Sequence, residues 1–113
     1  MGLRIACLLI AGALTGCGSQ ADRQLEAVKS ARSVLAEWAL VEERHDRGLA
    51  PDTYVEQMRH LSREQLEVSE GELTGQPQAA ALIRQLRTGQ PAAEALERAD
   101  AALQPLEDRL ESA

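Results

Sequence analysis

Few side chains here have the chemistry to cut, transfer or ligate anything. Cys7 and Cys17 supply the thiols, His45 and His60 the imidazoles. Glu42-Glu43-Arg44-His45 contains a Glu-x-x-His step, the spacing by which di-iron helical bundles turn two ligands inward from one helix. Such a centre needs a second copy of the step and two further carboxylates, and the chain has one copy. His60 has Glu56 and Glu64 one helical turn to either side, yet a metal needs three or four converging ligands. The expectation for His45 is a C-terminal helix cap favoured by the helix dipole, near Tyr54; for His60 it is an exposed ion pair. Serines and threonines fall at caps or on helix surfaces, and no glycine-rich phosphate loop follows a strand. The carboxylates lie on solvated faces, where little would perturb them. No catalytic residue, metal site, cofactor or small-molecule substrate is expected, and the chain is not expected to be an enzyme.

Cys17 is set apart by what precedes it. Arg4 gives a positive start, residues 5–14 form an apolar run, and Thr15-Gly16 places small residues before the thiol. That is the layout of a secretory signal peptide, too short for a membrane span of about 20 residues. Leu14-Thr15-Gly16-Cys17 resembles the lipobox of bacterial prolipoproteins. The resemblance implies recognition of Leu14, Thr15 and Gly16 by the signal peptidase and cleavage before Cys17. It also implies a diacylglyceryl thioether on the Cys17 sulfur and an acyl group on the new amine. The membrane would then be a partner through the lipid, and the location a bacterial cell envelope. Gly18 is not the aspartate that retains inner-membrane forms. The resemblance therefore implies the periplasmic leaflet of the outer membrane in a Gram-negative cell, and otherwise the outer face of the plasma membrane.

Cleavage after residue 16 leaves 97 of the 113 residues, enough for one small domain. Loss of Arg4 leaves 11 of 12 basic residues against 18 acidic ones, moving the formal charge from −6 to −7. Nucleic acid is not an expected partner, because phosphate binding needs a basic patch. With Cys7 discarded and Cys17 acylated, no disulfide can staple the domain. There is no Phe, one Trp and one Tyr, so the core must come from Leu, Val, Ala and Met, and little apolar surface is buried.

No segment alternates like a strand, and Ala, Leu, Glu, Gln and Arg dominate. After a short tether at 17–19, one helical domain is expected over 20–113, with helices at about 20–47, 52–73, 77–87 and 91–111. Ser19 with Asp22 and Thr53 with Glu56 have capping-box spacing, and Gly48 is a natural stop. On the first helix Ala27, Ala31, Val34, Trp38, Val41 and His45 share one side, flanked by Val28, Leu35 and Ala39. On the second, Tyr54, Met58, Leu61, Gln65 and Val68 form a row, with Val55, Leu66 and Leu73 beside it. Glu56, Arg59, His60, Arg63, Glu64 and Glu67 form its expected wet face.

Folding the chain about 48–52 into an antiparallel hairpin sets Val41 beside Met58, Trp38 beside Leu61 and Ala31 beside Val68. The Trp38 indole is expected to bond Gln65 or Ser62. Thr74-Gly75-Gln76-Pro77 recurs as Thr88-Gly89-Gln90-Pro91, each copy suggesting a stop and a proline-led restart. Ala92, Leu96, Ala99, Leu103, Leu106 and Leu110 form a heptad seam interrupted by Pro105, which should kink or end the last helix. The seam either covers the hairpin or docks another chain. The fold class expected is all-α: a long hairpin plus one or two C-terminal helices in a small three- to four-helix bundle. The function expected is a lipid-anchored helical interaction or scaffold module of the envelope with a protein partner. The alternative is a periplasmic immunity or inhibitor lipoprotein that blocks a basic toxin or cell-wall hydrolase.

Overall fold

The computed structural model describes residues 20–113. These form four helices, α1 (Gln20–Asp46), α2 (Asp52–Glu72), α3 (Pro77–Thr88) and α4 (Ala93–Ser112), with no strand among the described residues. The protein is an all-α small helical bundle. Among the described residues no helix is long and apolar enough to cross a membrane. The lipobox, Cys17 and the Ser19 capping position lie outside the described residues.

α1 is the spine. Ala27, Val28, Ala31, Val34, Leu35, Trp38, Ala39 and Val41 are buried along one broad side, a stripe wide enough for neighbours on two flanks. It stops at Gly48, whose φ of +71° is the left-handed conformation that glycine adopts without steric cost. The Leu49 amide donates to the Arg44 carbonyl at 2.8 Å and the Gly48 amide to the His45 carbonyl at 2.9 Å. That pair of bonds is a Schellman closure, satisfying carbonyls the helix end would otherwise strand.

α2 starts without the Thr53–Glu56 capping box. Pro51 is extended at the N-cap, its carbonyl accepts the Val55 amide at 3.1 Å, and no side chain caps the helix. Asp52 thus enters the first turn, where a carboxylate suits the positive helix end, and Thr53 sits too late to cap.

The rotation of α2 differs from the sequence expectation. Its buried residues are Val55, Ser62, Leu66, Ser69 and Glu70, with Leu73 just after its end. Tyr54, Leu61 and Val68 are 43%, 45% and 70% exposed. The register pairing Trp38 with Leu61 and Ala31 with Val68 therefore does not form. The physical reason lies in two arginines counted as wet. Arg59 turns toward α1 to meet Glu42, and Arg63 lies over the Trp38 ring. Both are half-buried, and seating them rolls the apolar row outward.

α4 runs antiparallel to α1, since Arg32 meets Asp100 and Glu107 while Lys29, nearer the start of α1, meets Glu111. Leu96, Ala99, Leu103 and Leu106 are buried in the common core, and Leu110, partly buried, packs against it. The C-terminal seam is thus consumed internally. Pro105 lies inside α4, which continues past it to Ser112. The repeated tetrapeptides fold differently: Pro77 begins α3, whereas the second copy ends α3 and the next helix starts only at Ala93. α1 packs between α2 and α4, and α3 leans mainly on α2. The continuous core spans Ala27 to Ala39 on α1, while Val41 and Val55 are buried apart from it, toward the hairpin turn.

Candidate functional site

Ion pairs fix each helix against its neighbour, and they decide which surface is left over. Glu42, 7% exposed, accepts from the Trp38 indole at 2.8 Å and from Arg59 through two nitrogens at 2.7 and 2.8 Å. This fork-on-fork pairing is among the stronger hydrogen-bond geometries. It holds the Glu42 carboxyl below the usual carboxylate range: the Arg59 bonds lower it most, burial opposes them, and the Trp38 bond adds. Arg59 also reaches Glu56 at 2.6 Å, and its guanidinium is raised mainly by the bonds to Glu42. Arg63 places its guanidinium carbon 5.3 Å from the Trp38 ring centroid and donates to the Gly89 carbonyl at 3.1 Å. A cation–π contact thus links the core tryptophan to the α3–α4 turn.

The same device recurs. Glu70 accepts from Arg84 and Arg87, joining α2 to α3, and both bonds lower its carboxyl, Arg87 more. Arg32 donates to Asp100 at 2.7 Å and Glu107 at 3.2 Å, joining α1 to α4, and the Asp100 bond raises its guanidinium most. Among the described residues no buried side-chain nitrogen or oxygen lacks a hydrogen-bond partner. Carboxylates held ionised by arginine forks are poor general acids, and what these clusters visibly do is join one helix to the next.

The imidazoles sit apart. His45 Nε2 lies 2.9 Å from Asp52 across the hairpin turn, and His60 Nε2 lies 2.9 Å from Glu64 on the open face of α2. Glu42, the other half of the Glu-x-x-His step, is committed to Trp38 and Arg59. Glu107, Asp108 and Glu111 bring three carboxylates within 4.8 Å, but Glu107 is paired with Arg32 and Glu111 approaches Lys29 at 3.7 Å. Two of the three carboxylates are thus already engaged by cationic side chains, and exposed acidic groups of this kind are common without an ion.

What remains is a groove between α1 and α2 on the side away from α3 and α4. Shallow recesses run along it: one at the turn end between Leu40, Leu49, Tyr54 and Met58, a middle one between Ser33, Glu37, Gln65 and Val68, and one at the start of α1 between Asp22, Glu26 and Glu72. Val34 and Val41, both nearly buried, line its floor. From α2, Tyr54, Met58, Gln65 and Val68 line it, and the exposed Leu61 completes their row at alternate steps of four and three residues. The row was visible in the sequence, but its outward aim was not. The signal that could have shown it is the pair Arg59 and Arg63, which share the inner arc with Val55, Ser62 and Leu66 at helical spacing. A further recess between α3 and α4 is lined by Gln76, Pro77, Gln78, Leu82, Pro105 and Arg109, a mixed polar and apolar wall without a carboxylate, imidazole or thiol. Comparison with protein-family models, curated proteins and solved structures finds nothing that matches this chain.

Proposed function

We propose that this protein is a lipid-anchored helical docking module of a bacterial envelope, held at the membrane through Cys17 and presenting the α1–α2 groove to a protein partner. The observation that carries this reading is the exposed apolar row on α2. Leu61 and Val68 lie open at 45% and 70% exposure, in a domain short of apolar residues with which to build its core. Apolar side chains left open side by side on one helix face offer a surface for a partner to cover. The lipobox-like Leu14-Thr15-Gly16-Cys17 supports anchoring by more than one acyl chain, which is what stable membrane residence requires. Gly18 and Ser19 alone separate Cys17 from Gln20, three steps of chain spanning roughly 10 Å at most, so the domain would stand close to the leaflet. A reaction chemistry is not part of this proposal, because the ionisable clusters are spent on holding helices together.

A second reading, an immunity or inhibitor lipoprotein against a basic toxin or wall hydrolase, draws on the acidic lining of the groove's membrane-near end. The two differ in salt response: an acid-steered inhibitor loses association rate steeply as salt rises, while apolar docking does not. The decisive experiment has two arms in cells. Labelled palmitate should enter the wild-type chain and not the Cys17→Ser chain, and a photoreactive residue in place of Leu61 should yield a covalent protein adduct. A wild-type chain that takes up no palmitate removes the anchor, and absence of any adduct from the groove removes the docking surface.

A further inference from the structure

Resting on the reading of the groove as a docking surface, we propose that its occupant is a basic amphipathic helix of another protein, lying along the seam Tyr54-Met58-Leu61-Gln65-Val68. Two rows flank the groove. The α2 row alternates four- and three-residue steps, and the α1 row Ser30, Ser33, Glu37, Leu40 and Arg44 alternates three and four. Rows with that spacing on two adjacent helices leave holes at the pitch of a third helix, the geometry of knobs set between ridges. From Tyr54 to Val68 the seam runs about 21 Å, four turns of helix. The described residues hold no strand, so they offer no sheet edge to an extended peptide, and the helix-in-groove mode is the one this surface suits.

Charge separates the partner from a second copy of this chain. Asp22, Glu26, Glu37 and Glu72 line the groove against Arg23 and Arg44. The excess is acidic and gathers at the Val68 end, where Asp22, Glu26 and Glu72 face one arginine, in a chain whose formal charge is −6. Pairing two copies of the groove would set one net-acidic surface against another, which disfavours a second copy as the occupant. A helix with apolar residues at heptad spacing and lysine or arginine beside them meets the row and the acidic rim together. Ser30 and Ser33, small and exposed on the α1 wall, leave room for its long basic side chains.

The test uses the full acylated chain in nanodiscs of zwitterionic phosphatidylcholine, which give a basic peptide no anionic lipid to bind. The probe is a fluorescein-labelled synthetic peptide about five turns long, leucine at both heptad core positions and lysine beside them; its control replaces every lysine by glutamate. The lysine peptide should bind at least about tenfold more tightly than the glutamate peptide. Leu61→Glu with Val68→Glu should weaken it about tenfold or more, with thermal melting unchanged because both positions lie outside the core. Glu26→Lys with Glu37→Lys should reverse the order of the two peptides. Equal binding of both peptides, or binding indifferent to the Leu61 and Val68 changes, overturns the assignment. In cells, adducts from position 61 to a second copy, or to a segment that is neither basic nor helical in pattern, overturn the occupant while leaving the docking surface intact. No adduct at all sinks the docking surface itself.

Discussion

Trp38 does three jobs at once: it fills the core at 1% exposure, donates its indole proton to Glu42 and carries Arg63 on its face. Trp38→Ala should therefore cost about 3–5 kcal/mol, by cavity formation and by stripping a buried carboxylate of one donor. Leu61→Ala, on the same hairpin but open to water, should change stability by about 0.5 kcal/mol or less. Urea denaturation of the two variants checks both, and equal losses would return Leu61 to the core. Glu42 and Glu70 make a pH prediction. Their carboxyls are lowered in the folded state, so the stability they contribute is full above the unfolded carboxylate value and is lost as pH falls through the folded one. Melting temperature should hold steady down to about pH 5 and drop below about pH 4. Glu42→Gln should melt lower at neutral pH and show a shallower acid drop, as followed by circular dichroism.

Pro105 sits within α4 with no amide to give the Ala101 carbonyl, yet the helix carries on through it. The leucines on either side, Leu103 and Leu106, are anchored in the core, so tertiary packing outweighs the local penalty. Since Pro105 itself is exposed, Pro105→Ala should raise stability by about 1–3 kcal/mol, read as a higher melting temperature. The same contest between local preference and packing marks where the chain could be read in advance. α1 was legible because its apolar stripe is broad and Gly48 ends it; the seam on α4 was legible because its leucines have no second face to compete. α2 was not, because it carries two arcs about a quarter-turn apart, and the richer one faces out. Hydrophobicity alone cannot choose between them. The choice is made by Arg59 and Arg63, whose value as inward residues depends on Glu42 and Trp38 standing opposite. The candidate site was legible to the same degree: its residues were singled out as a row, then assigned to the interior.

The bundle has a near end and a far end. Lys29 and Glu111 place the last turn of α4 beside the early turns of α1, while the Gly48 turn and Leu49 lie at the opposite tip, about 30 Å from Lys29 along α1. With Cys17 acylated, a fluorophore on Leu49→Cys should be quenched less by a lipid-borne quencher than one on Ser112→Cys; equal quenching would mean the domain lies flat. The route between anchor and groove then has a mechanical consequence. Were the chain anchored at Cys17 and the groove occupied as proposed, a tug on α2 would reach the lipid through α1, whose axis runs antiparallel to α2, so the load would slide one helix along the other instead of peeling them apart turn by turn. The Glu42–Arg59 fork and the packing of Leu66 and Leu73 all bear such a shear together, which makes this small fold better suited to being pulled on than its thin core suggests.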